Sequence, residues 1–200
     1  MIINKITYKK NEFLVEFNNG KSVSIVEDSL VKFNLYKGLE VSDDFDNSLY
    51  EQDQLTRAFI LACRYLSNMK SSKQIKDYLF RKKISNDNIE KTIDLLTEKG
   101  FLDDYSYAVS YIHDAQILKK HGSKKIKYSL FEKGISKNII EKASAEIDDE
   151  LEYNNAHELF LKKANNDYSF ENLNKVIRFL LDRGFDYSLI KEVINYEKER

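Results

Sequence analysis

Few residues of this chain have the types and spacing that covalent or metal chemistry needs. Asp103 and Asp104 are adjacent acids, but no Cys or His ligand lies near them in sequence. His113 and His121 lie eight residues apart, unlike two metal ligands four apart on one helix, and His157 is isolated. No Gly-rich phosphate loop or nucleophile elbow occurs. We therefore expect no catalytic residue, no metal and no cofactor, with a nuclease that uses Asp103 and Asp104 as the enzymatic alternative.

Basic residues form the more promising pattern. Residues 115–131 contain five lysines and no acid, and residues 64–83 contain seven basic residues against one acid. Such blocks fit phosphate contacts through counterion release, an acidic groove on a protein, or simply a solvated helix face. The candidate binding surface consists of Lys119, Lys120, Lys124, Lys125 and Lys127, followed by Arg64, Lys73, Lys76 and Arg81.

Composition limits where such a surface can act. The 200 residues carry a net charge of −1, so a basic surface can only be local. No proline, six glycines and 32% charged residues favour a mainly helical chain with short connections. A single cysteine, Cys63, in an apolar helical run predicts a buried thiol and a reducing compartment. We expect a cytoplasmic monomer with no membrane segment.

The first 46 residues are predicted to form a small β-rich domain. Ile2 to Tyr8 is β-prone, Glu12 to Phe17 alternates, and Ser22 to Val26 reads as the return strand of a hairpin. Asn18-Asn19-Gly20 supplies the turn between these last two segments, because Asn and Gly tolerate positive φ. Glu27-Asp28-Ser29 is then expected to start a short helix, Leu30 to Leu35, closed near Gly38.

From about residue 47 onward the chain is predicted to repeat a helical unit three times. Ile75, Leu79, Ile84 and Ile89 recur 51 residues later as Ile126, Leu130, Ile135 and Ile140, and 50 residues after that as Val176, Leu180, Phe185 and Ile190. A period near 50 with three helices per copy indicates tandem three-helix bundles, in a curved elongated array, over 47–101, 102–148 and 149–200. The predicted N-caps are Ser71, Ser123, Ser169, Ser85, Ser136 and Asp186. Lys83 stands where the other copies have Gly134 and Gly184, so the first copy is expected to depart there.

The first copy joins the second through a distinctive stretch. Gly100 can close one helix in the left-handed conformation, and Asp103 or Asp104 can cap the next. Phe101 and Leu102 are expected to bury the connector, and Tyr107 and Ala108 to begin the inward face of the following helix.

This stretch resembles the signature of the RecX family, bacterial regulators of the RecA recombinase. The residues that carry the resemblance are Gly100, Phe101, Leu102, Asp103, Asp104, Tyr107 and Ala108. Residues 122–135 are similar to the family's next motif, a Gly and basic residues before Ile, then Lys-Gly-Ile. Residues 62–79 and the extension around 31–38 add support.

The resemblance implies a non-enzymatic partner of RecA. It implies tandem three-helix repeats, binding in the groove of the RecA–single-stranded-DNA filament, and mostly inhibition of ATP hydrolysis, strand exchange and co-protease action in DNA repair and the SOS response. The basic residues above then become candidate contacts to RecA or DNA. A stand-alone DNA-binding module that acts without RecA is the alternative.

Overall fold

The computed structural model describes residues 1–199 and is mainly helical, as predicted. A three-stranded antiparallel sheet comes first, and the helices follow. The strands are β1 (Ile3–Lys9), β2 (Glu12–Phe17) and β3 (Ser22–Ile25). The helices are α1 (Glu27–Lys32), α2 (Phe45–Tyr65), α3 (Ser72–Arg81), α4 (Asn86–Glu98), α5 (Asp104–Ile117), α6 (Ser123–Glu132), α7 (Lys137–Ala143), α8 (Asp149–Ala164), α9 (Phe170–Asp182) and α10 (Tyr187–Glu199), with a 3-10 turn at Ser144–Glu146.

The sheet contains the predicted hairpin and one more. Between β2 and β3, Gly20 takes φ +85° and the Phe17 N–H donates to the Lys21 carbonyl at 2.9 Å. Between β1 and β2, Lys10 and Asn11 both take positive φ, so the first strand also joins by a tight turn. The buried face of the sheet comprises Ile3, Val15, Phe17, Val23 and Ile25.

One expectation for this region was wrong in position. The short helix begins at Glu27, as predicted, and the acidic residues Glu27 and Asp28 occupy its first turn, where the helix dipole favours them. It ends at Lys32 rather than at Leu35, because the chain takes a left-handed turn at Asn34, with φ +47°.

The sheet packs against α2, which supplies both apolar and polar contacts. Leu49 of α2 is fully buried in the same core as the sheet. The Asp53 carboxylate, also fully buried, accepts the Val26 N–H at 2.8 Å and pairs with Arg57 at 2.5 Å. Because this core continues past residue 46, the domain division 1–46, 47–101, 102–148 and 149–200 stays a prediction.

The chain divides into two compact units. The first comprises Met1–Met69 and Ile75–Leu102, and the second comprises Lys70–Gln74 and Asp103–Arg200. The second holds two apolar cores, one from α5–α7 and one from α8–α10.

The repeated apolar residues form these cores. Of the twelve aligned positions, Ile84 alone is half-buried and the others are buried. Lys83 takes φ +62° where Gly134 and Gly184 take +80° and +88°. The first copy was predicted to depart from the others at Lys83. Its backbone does not depart there, because Lys83 makes the same left-handed turn that glycine makes in the other two copies.

Candidate partner-binding surface

The joint between the first and second copies forms a helix stop and a helix start. Gly100, at φ +70°, follows α4, and the Phe101 N–H donates to the Leu96 carbonyl at 2.8 Å. Leu102 is 3% exposed in the core of the first unit, whereas Phe101 is 59% exposed. Burial of Phe101 was therefore predicted wrongly, since the turn at Gly100 directs only Leu102 inward. Tyr107 and Ala108 are buried in the α5 core, as expected.

Asp103 and Asp104 act on the starts of two different helices. Asp103 is the N-cap of α5, where it accepts from the N–H groups of Tyr105 (2.8 Å) and Ser106 (3.2 Å). The Ser106 hydroxyl also donates to Asp103, and these hydrogen bonds lower the pKa of that carboxyl group. Asp104 instead accepts the Ser72 N–H, at the start of α3, at 2.8 Å. Both carboxylates thus bind backbone amides, and residues 1–199 hold no cluster of three or more His, Cys, Asp or Glu suited to a metal.

The other predicted caps are confirmed with one exception. Ser85, Ser136 and Ser169 each accept an N–H three residues on. Ser71 and Asp186 likewise accept backbone N–H groups at the starts of α3 and α10. Ser123 was the wrong choice, because Gly122 takes the N-cap position of α6. The Ser123 N–H instead donates, at 2.8 Å, to the carboxylate of Glu152, a buried residue of α8.

Two glycines bring the start of α6 against the turn between α9 and α10. The Gly122 N–H donates to the Arg183 carbonyl at 2.9 Å, and the Lys124 N–H donates to the Gly184 carbonyl at 3.1 Å. A Cβ on Gly122 would lie 2.4 Å from three backbone atoms of Gly184 and Phe185. This close backbone contact, here called the glycine contact, fixes the positions of the lysines on α6.

Most of the second-copy lysines of the candidate surface have partners. Lys120 forms an ion pair with Glu158, and Lys124 with Asp186 at 2.6 Å. Lys125 Nζ donates to the Asp182 carbonyl at 3.1 Å. Lys119 Nζ lies 5.1 Å above the Tyr111 ring. Lys127 is exposed and has no ion pair or hydrogen bond with the residues that the structure describes.

The remaining predicted basic residues also differ in their pairing. Lys73 Nζ donates to the Glu132 carbonyl at 3.1 Å, in the second unit. In the first unit, Lys76 pairs with Glu90 at 2.5 Å. Arg64 and Arg81 are exposed, and neither makes an ion pair or hydrogen bond within residues 1–199. Arg64, Arg81 and Lys127, here called the unpaired cations, are therefore the predicted residues whose charged groups have neither an ion pair nor a hydrogen bond within the described part of the chain and also lie over no aromatic ring there.

Sequence reasoning missed Arg183, because the third copy carries little excess charge. Arg183 Nη1 donates to the Lys119 carbonyl at 3.1 Å, beside His121. Burial lowers the pKa of His121, and the charges of Lys125, Arg183 and Lys119 lower it further. The signal for Arg183 was its position directly before Gly184, the glycine that recurs with the period.

Comparison with known proteins identifies the family. The chain is 36% identical over 196 residues to the "Regulatory protein RecX" of Clostridium botulinum strain Alaska E43, covering 90% of this chain and 92% of that protein. The chain belongs to the RecX family. The RecX of Streptococcus uberis is 33% identical over 195 residues, covering 96% of this chain and 76% of that protein. The family description "RecX, second three-helix domain" matches residues 103–143, which contain Asp103, Asp104, Tyr107 and Ala108.

Solved RecX structures share the fold. One crystal structure of regulatory protein RecX matches with a TM-score of 0.79 at 24% identity, covering 96% of this chain and 98% of that one. RecX from Lactobacillus salivarius matches with a TM-score of 0.69 at 29% identity, covering 74% of this chain and 99% of that one. Within residues 1–199, no helix has both the length and the apolar character that a membrane span requires.

Proposed function

We propose that this RecX protein regulates the RecA recombinase without catalysing a reaction, by binding in the groove of RecA–single-stranded-DNA filaments, and that the usual effect is inhibition. The observation that carries the proposal is the match to proteins named "Regulatory protein RecX" over nine-tenths or more of the chain.

The charge distribution supports a binding role. The DNA strand of a filament offers repeated phosphate groups, so basic residues on several modules of one chain add their weak contacts through avidity. Charges already paired within the protein must first lose their own partner, which reduces their net gain on binding. We therefore expect the unpaired cations Arg64, Arg81 and Lys127 to contribute more electrostatic attraction than Lys76, Lys120 and Lys124, which already have carboxylate partners.

The decisive experiment measures the DNA-dependent ATPase rate of the cognate RecA on single-stranded DNA. Substoichiometric amounts of the full-length protein are added to preformed filaments. A fall in the rate supports the proposal. An unchanged rate, together with no binding to the filament, would refute it, while tight binding to bare DNA alone would favour the stand-alone DNA-binding module.

A matched pair of triple variants tests which charges act. One variant carries Arg64→Gln, Arg81→Gln and Lys127→Gln, and the control carries Lys76→Gln, Lys120→Gln and Lys124→Gln, with the same loss of charge. We expect the first to bind the filament about tenfold more weakly, at roughly 0.5 kcal/mol per exposed charge, and with a shallower salt dependence. Equal weakening in both variants would contradict the assignment to the unpaired cations.

A further inference from the structure

Basic residues from three parts of the chain lie beside the glycine contact. Lys119 follows α5, His121 and Lys125 flank the start of α6, and Arg183 follows α9. The Arg183 guanidinium reaches the Lys119 carbonyl at 3.1 Å, and Lys125 Nζ reaches the Asp182 carbonyl at 3.1 Å. We call Lys119, His121, Lys125 and Arg183 the junction cluster.

The charges of the junction cluster are not neutralised by carboxylates in the contacts that the described residues make. Lys119 Nζ lies over the Tyr111 ring, and the Arg183 guanidinium lies 5.3 Å above the Phe179 ring. Lys125 and Arg183 donate to main-chain carbonyls at the ends of α9 and α5, which carry only partial negative charge. The adjacent Lys120 and Lys124, by contrast, each have a carboxylate partner.

A buried polar atom in the cluster also has no partner. His121 Nδ1 is inaccessible to solvent, yet makes no hydrogen bond with any described residue. The ring lies among the positive charges of Lys119, Lys125 and Arg183, which oppose its own protonation. An anion bound here would offset those charges and favour the protonated form of the imidazole.

We propose that the junction cluster binds a phosphate group. An arginine fork and two lysines suit the oxygens of a phosphate, and a protonated His121 ring would add a further positive charge. The phosphodiester of a single nucleic-acid strand is the favoured source, because Lys127 and Tyr128 are exposed on the adjoining helix and a tyrosine face can stack on a base. This site does not depend on the proposed action on RecA.

The test is a nuclear magnetic resonance titration of the ¹⁵N-labelled full-length protein, with no RecA present. A short oligothymidylate and inorganic phosphate are titrated separately at low salt. We follow the amide signals of His121, Gly122 and Lys125, and the pKa of the His121 ring. Binding at the cluster shifts these signals and raises the pKa of His121, because a nearby negative charge favours its protonated form.

Lys119→Gln is the test variant and Lys133→Gln is its control. Both lysines lie over the same Tyr111 ring, at 5.1 Å and 5.3 Å, so each substitution removes one cation–π contact. Lys119→Gln retains the main-chain carbonyl that Arg183 binds. We expect oligothymidylate affinity to fall about tenfold in Lys119→Gln, with a log–log salt slope about 0.7 less steep, and to stay near wild type in Lys133→Gln.

Each outcome decides the proposal. Shifts at the cluster with oligothymidylate alone support a strand as the source, and equal affinity for inorganic phosphate supports the site with a free anion as its ligand. No shift at these amides with either probe would overturn it. Equal loss in Lys119→Gln and Lys133→Gln would also overturn it, because the cluster would then make no specific contribution. Since RecA is absent, these results are separate from any effect on its ATPase.

Discussion

Substitution of Gly122 by alanine should weaken the second unit more than substitution of a glycine that only makes a turn. Gly122 has φ −76°, which alanine adopts without strain. Its new Cβ, however, would lie 2.4 Å from backbone atoms of Gly184 and Phe185, which cannot rotate away as a side chain can. The start of α6 must therefore move away from the α9–α10 turn.

The expected loss of stability follows from the contacts that this movement would break. Two hydrogen bonds, from the N–H groups of Gly122 and Lys124, are lost or stretched. At about 1 kcal/mol each, and with about 1–2 kcal/mol for overpacking, Gly122→Ala should lower the free energy of unfolding by about 3–4 kcal/mol. Gly100→Ala is the matched control: it has φ +70° and open space around its Cβ, so it should cost about 1 kcal/mol of backbone strain.

The assay combines urea unfolding with amide hydrogen exchange, because a chain with two compact units need not unfold in one step. Exchange at Lys124, whose N–H is held by Gly184, reports the junction directly and should accelerate in Gly122→Ala but not in Gly100→Ala. A loss of stability in Gly122→Ala no larger than that in Gly100→Ala would refute the role of the glycine contact.

Three further predictions concern single residues. Lys83→Gly should raise the free energy of unfolding by about 0.5–1 kcal/mol, because glycine adopts φ +62° without strain. Lys83→Ala keeps that strain and should not raise it, and thermal unfolding compares the two variants. Asp103→Ala should cost about 1–2 kcal/mol through loss of the α5 cap, while Asp103→Asn should cost less, and equal losses in urea unfolding would contradict a capping role. In the folded protein the pKa of His121 is lowered by burial and by the charges of Lys125, Arg183 and Lys119. As the pH falls, the imidazole is therefore protonated in the unfolded chain before it is protonated in the folded protein. The free energy of unfolding should then decrease as the pH drops from about 6.5. In His121→Gln the thermal midpoint should change less between pH 7.5 and 5, and an unchanged pH dependence would contradict the assignment.

Local patterns made much of this fold predictable from the sequence. Apolar residues at helical spacing identified the cores, and Ser85 or Ser136 identified helix starts, because a helix and its cap lie within a few residues of each other. Contacts between copies were not predictable in this way. The α6 start receives its carboxylate from Glu152, 29 residues away, and no spacing rule connects it with Ser123.

The candidate surface shows the same limit. Its residues could be selected from charge and period, but their pairing could not. Lys124 and Lys127 look equivalent in the sequence, and only the docking of the α9–α10 turn gives Lys124 a partner in Asp186. Lys83 shows the converse, since tertiary packing imposes a left-handed turn that its residue type does not favour.

The contact between the second and third copies is asymmetric, because Glu152 of α8 accepts the backbone N–H at the start of α6. The second copy presents a helix start, and the third copy presents the carboxylate and the glycine turn that receive it. The third copy fills its own helix start differently, through Ser169 and through Asn172, whose side chain donates to the carbonyls of Ala164 and Asp167. Such head-to-tail interfaces can in principle add subunits without limit. The start of α9 is already capped by residues of its own copy. A duplicated third copy would therefore have no uncapped helix start to bind. The three copies are not interchangeable, and their order along the chain is part of the fold.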